Sequence, residues 1–91
     1  MNNRQALALA LRKIRKARKL TQEDFGVVSS RTYLSSLERG LKSPTLEKLE
    51  AIADVMSVHP AVLILVAYAI AEGGDAGKTI DEIALGAKEL L

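Results

Sequence analysis

Residues 61–71, Ala-Val-Leu-Ile-Leu-Val-Ala-Tyr-Ala-Ile-Ala, carry no charge, and as a helix they are apolar on every side. Eleven residues of helix rise only about 16 Å, roughly half of a bilayer core, so this segment does not span one. A helix apolar all round must be covered on both faces by protein. The chain has 91 residues, enough for one modest core, so one cover is that core and the other is expected to be a second subunit. Nearly half the residues are apolar (48%), yet only two Tyr and one Phe are aromatic. Leu, Ile, Val and Ala must therefore fill the core, which favours helices over a sandwich or barrel.

Punctuation divides the rest into helices. Asn2 or Asn3 can cap a first helix running to about 19, with Leu7, Ala10 or Leu11, and Ile14 at helical spacing. Thr21 and Asp24 form a capping-box-like start to a second, with Phe25 and Val28 inward. Gly26 is expected to let another backbone approach. Ser29 and Ser30 supply a new cap, and a third helix over 31–39 ends at Gly40. Ser43-Pro44-Thr45 turns the chain into a fourth helix over 46–56, which Ser57-Val58-His59-Pro60 breaks. Pro60 suits the first position of the 61–71 helix, with His59 as its cap. Residues 72–77 read as a flexible joint, and Thr79 with Glu82 as the cap of a last helix. That helix carries Ile80, Ile83, Ala84, Ala87 and Leu90 on one stripe and should dock on something.

The net charge of +2 hides a split. Residues 1–42 hold ten Lys/Arg against three acids, a balance of +7, whereas 43–91 hold three Lys against eight acids, a balance of −5. Arg12, Lys13, Arg15, Lys16, Arg18 and Lys19 crowd the end of the first helix. Cations there suit the helix dipole, but six in eight residues repel one another, so a nearby anion such as phosphate is inferred.

In the third helix Leu34 and Leu37 point inward, and at about 100° per residue Thr32, Ser35, Ser36 and Arg39 fall opposite. Arg31 projects from its start, and Tyr33 lies beside Leu37, half buried. The segments Leu20-Thr21-Gln22-Glu23, Leu34-Ser35-Ser36-Leu37-Glu38-Arg39-Gly40, Ser43-Pro44-Thr45 and Leu49-Glu50-Ala51-Ile52-Ala53 occur in that order. Together they resemble the helix-turn-helix domain of the phage-repressor and Cro family, also called the xenobiotic-response-element (XRE) family, over about 7–66. Two departures stand out. The span from Gln22 to Ser30 is two residues shorter than the family norm, and Lys19 occupies the place of a glycine.

The resemblance implies that the third helix is a recognition helix in the major groove, with Arg31, Thr32, Ser35 and Ser36 on base edges. Gln22, Arg39, Lys42 and Thr45 would hold phosphates, Gln22 also bracing the recognition helix. Arg15 would pair with Glu38 as a structural ion pair, the alternative for Arg15 being one more phosphate contact. An all-α fold follows: a five-helix DNA-binding domain over 1–72, then a linker and C-terminal helix over 73–91. Two copies would pair through Val62, Leu65, Val66 and Ala69 of the fifth helix and Ile80, Ile83 and Leu90 of the last. The expected function is a cytoplasmic transcriptional regulator, a repressor by default, binding an inverted repeat of double-stranded DNA as a homodimer. An autoregulatory antitoxin or a restriction–modification controller, with a toxin or polymerase as protein partner, and a protein-binding adaptor without DNA are the alternatives.

Other chemistry finds no support. The sequence has no cysteine, hence no disulfide or thiolate site, and one histidine without a partner at ligand spacing. No nucleophile elbow, phosphate loop or dinucleotide fingerprint is present, so neither an enzyme, a metal nor a cofactor is expected.

Overall fold

Five α-helices and one 3-10 turn, with no strand, make up residues 2–91, the part of the chain that this computed structural model describes. The helices are α1 (Asn3–Ala17), α2 (Arg31–Glu38), α3 (Leu46–Val55), α4 (Pro60–Glu72) and α5 (Ala76–Leu90), with the 3-10 turn at Gln22–Phe25. Local chemistry sets most of these limits. The Asn2 side chain accepts from the Gln5 amide at 2.8 Å, and Gln5 Oε1 accepts from the Asn2 amide at 3.3 Å, closing a capping box on α1. His59 Nδ1 accepts from the Ala61 amide at 3.0 Å, with Pro60 at the first helical position.

Three helices end in the same way. Lys19, Gly40 and Ser57 take left-handed φ values of 58°, 72° and 57°. After α1 the Lys19 amide donates to the Lys16 carbonyl and the Leu20 amide to the Arg15 carbonyl, at 3.0 and 3.1 Å. Gly40 and Leu41 repeat the pattern on Leu37 and Ser36, as Ser57 and Val58 do on Asp54 and Ala53. These are Schellman endings, and Leu20 and Val58 follow them into the core. Lys19, standing where the resemblance expects a glycine, therefore takes the left-handed backbone that glycine adopts most readily. At Gly40 an added Cβ would also stand 3.6 Å from the Gln5 Cα, so this residue brings the loop after α2 close to α1.

The core gathers Leu11 of α1, Phe25 of the 3-10 turn, Leu34 and Leu37 of α2, Leu49 and Ile52 of α3, Met56, and Leu63 of α4. Fully burying one such side chain stabilises by roughly 1.5–3 kcal/mol. A second seam of Ala6, Ala10 and Ala67 brings α1 and α4 together closely. Small side chains at i and i+4 permit that approach. α5 packs on α4 and on no other element.

Four expectations need correction. The second helix is a single 3-10 turn; the Asp24 carboxylate accepts from the Thr21 amide at 2.7 Å, but the chain leaves helical geometry at once. The short span, the β-branched Val27 and Val28, and two serines favour turns over a further helical turn. Gly26 admits no other element, since a Cβ there would meet only the Glu23 carbonyl, at 3.3 Å. The last helix begins at Ala76 because Asp75, not Thr79, caps it: Asp75 Oδ1 accepts from the Lys78 amide at 3.1 Å. The joint thus shrinks to Gly73 and Gly74, both at positive φ. Finally, α5 of the same chain supplies part of the second cover for α4, and Ala69, expected at a subunit interface, is already buried within the single chain. No single helix among the described residues is long and apolar enough to cross a membrane.

Candidate nucleic-acid interface

Ser30 starts α2 by accepting the Tyr33 amide on its Oγ at 3.1 Å. Leu34 and Leu37 turn that helix into the core, leaving Arg31, Thr32 and Arg39 exposed and Ser35 partly exposed. Ser36 does not join them. It is 7% exposed, one turn on from the half-buried Tyr33, because the buried arc of α2 is wider than its two leucines. The expected base contact at Ser36 is therefore withdrawn, and the outer face reduces to Arg31, Thr32, Ser35 and Arg39. Arg31 Nη1 lies 3.4 Å from Glu23 Oε1, a surface pair too solvated to hold it firmly.

Glu38 fixes the helix behind that face. Its side chain is only 2% exposed, and Arg15 grips it in a fork, with Nε to Oε2 at 2.6 Å and Nη2 to Oε1 at 2.9 Å. Arg15 Nη1 also donates to the Leu20 carbonyl at 2.9 Å, so one guanidinium joins α1, its own Schellman ending and α2. The hydrogen bond to Glu38 raises the Arg15 pKa above its ordinary value, with partial burial opposing it. Gln22 Nε2 reaches Glu38 Oε1 at 3.3 Å, which ties the 3-10 turn to the same carboxylate. Gln22 is thus a brace for α2 in this geometry.

Two residues in this frame escaped sequence reasoning. Arg12 Nη2 donates to the Glu38 carbonyl at 3.0 Å, and its Nε stands 3.9 Å from the Glu38 carboxylate. Lys48 of α3 donates through Nζ to the Val28 carbonyl at 2.6 Å. That ammonium also lies 5.4 Å from the Tyr33 ring centroid, and Lys42 lies 5.6 Å from it. A shortened turn leaves a carbonyl without a helical donor, and Lys48 supplies one from 20 residues away. No local pattern marks such a contact.

The six crowded cations at the end of α1 and just beyond it divide by flank. Arg12 and Arg15 turn toward α2 and Glu38. Lys13 and Arg18 line a groove between α1 and α4, which no residue of α2 or of the 3-10 turn enters. Lys16 and Lys19 are exposed. Part of the repulsion expected from the cluster is therefore relieved inside the chain. Beyond α2, Lys42 is exposed, and the Thr45 hydroxyl accepts from the Lys48 amide at 3.1 Å, capping α3.

A helix-turn-helix family model matches residues 11–63, from the middle of α1 into α4 and across every residue of the face described. Comparison with curated proteins and with solved structures gave no match.

Proposed function

The chain belongs to the helix-turn-helix family of phage-repressor and Cro type, the XRE family, and on that premise we propose that it represses transcription as a homodimer on an inverted-repeat operator. It is a DNA-binding regulator by family. The observation that carries the finer reading is α2 itself: its inner face is locked through Glu38 while Arg31, Thr32 and Ser35 stand outward. Arg31 reads a guanine edge, and the two hydroxyls contact bases directly or through water. Arg39, Lys42 and the start of α3 at Thr45 hold the backbone on either side. Residues 2–72 form the DNA-binding unit, and 73–91 add the helix that serves pairing.

One arginine among hydroxyls discriminates bases weakly, so a single copy is a poor reader. Two copies with recognition helices about 34 Å apart, one turn of duplex, multiply the discrimination. Support for pairing comes from the apolar groups left exposed on α4 and α5, among them Val62, Ile64, Tyr68, Ile83 and Leu90. Selection from random duplexes should return an inverted repeat, with log affinity falling steeply against log salt. A retained single half-site would end the dimer reading. Failure to retard any duplex would end the operator reading.

A further inference from the structure

The groove between α1 and α4 has an apolar floor of Ile14, Val58, Val62 and Val66, a rim of Lys13 and Arg18, and a volume of about 390 Å³. A phosphate backbone would need the cations but has no use for that floor. The opposite chemistry stands on α5. That helix rests on α4 through Thr79, Ile80 and Gly86, which are partly buried, and has no fully buried residue. Leu85 lies away from that contact and is 57% exposed. Asp81, Glu82 and Glu89 are its neighbours at i−4, i−3 and i+4, with Lys88 at i+3, while Lys78 shares a surface hollow with Leu85, Asp81 and Glu82. One surface is thus an apolar trough edged by cations, and the other an apolar knob around which three acids outnumber two lysines.

We infer that the outer face of α5, centred on Leu85, docks into the α1–α4 groove of a second copy, with Asp81 and Glu82 against Lys13 and Arg18. The inference rests on the homodimer reading and moves the centre of the subunit contact on α5 from Ile80, partly buried within its own chain, to Leu85. Under two-fold symmetry each copy gives one knob and one groove, so the contact is made twice. It also gives the +7 and −5 halves of the chain a role in each other's recognition.

The test is sedimentation equilibrium of the full chain. Lys13→Glu with Arg18→Glu places acids against acids, and Asp81→Lys with Glu82→Lys places cations against cations. Each double variant should raise the dimer dissociation constant by about tenfold or more, with unchanged helical circular dichroism. An equimolar mixture should form a heterodimer near wild-type strength, because both of its contacts are complementary again. Leu85→Asp should weaken the dimer and gain nothing from mixing. A wild-type dimer that neither charge pair perturbs, or a mixture that stays dissociated, overturns the docking while leaving the homodimer intact. A wild-type chain that remains monomeric overturns both.

Discussion

Arg15→Ala is the sharpest test of how the recognition helix is held. The substitution removes the donors at 2.6 and 2.9 Å and leaves the Glu38 carboxylate at 2% exposure with Gln22 at 3.3 Å and Arg12 at 3.9 Å. Stranding one member of a buried pair costs about 3–5 kcal/mol. Arg12, 43% exposed and already 3.9 Å from the carboxylate, keeps part of that charge compensated, which places the expected loss near the lower limit, about 3 kcal/mol. For a chain of this size that lowers Tm by roughly 12–24 °C, and urea unfolding followed by circular dichroism reads it directly. The Glu38 hydrogen bond raises the Arg15 pKa, so this stabilisation is complete below the ordinary guanidinium range and is lost as pH climbs from there through the raised value. Through neutral and mildly alkaline pH the loss should therefore stay constant. Replacing both partners, Arg15→Met with Glu38→Met, should restore stability to within about 1 kcal/mol, since two apolar groups of similar volume strand no charge. A loss below about 1 kcal/mol for Arg15→Ala would refute the reasoning, because that is what a solvated surface pair contributes.

Four further outcomes follow from the same geometry. Arg31→Ala should relax base preference at one operator position and cost about 1–3 kcal/mol in competition binding; an equal loss on every sequence would make Arg31 a phosphate contact. Lys42→Ala should weaken all duplexes alike and reduce the salt slope by about 0.9, and a loss confined to the operator would contradict this. Lys48→Met removes the donor to the Val28 carbonyl, so amide protection over 26–30 should fall ahead of the core in hydrogen exchange, while Lys48→Arg keeps it. Lys19→Gly should stabilise by about 1 kcal/mol in urea unfolding, because a side chain at a φ of 58° is strained; a neutral or harmful effect would show that the Schellman ending tolerates lysine.

What the sequence determined is local. The caps at Ser30, Thr45 and His59, the ending at Gly40 and the apolar stripes act within four residues, the reach of one helical turn, and each lies where the sequence puts it. The linked motifs also placed Arg15 against Glu38, although the fork geometry of that pair is tertiary. The tertiary structure decided whatever depends on which surface meets which. It turned Ser36 inward, since the width of a helix's buried arc is set by its neighbours and not by its own leucines. It supplied the donor that the short 3-10 turn leaves missing, Lys48 of α3 reaching the Val28 carbonyl from 20 residues away. It sorted the cations of α1 to two flanks, a distinction that charge counting cannot make. The helix at 61–71 required two covers by composition alone. Packing decided that α1 supplies one and α5 of the same chain part of the other, because a two-glycine joint lets α5 fold back onto α4.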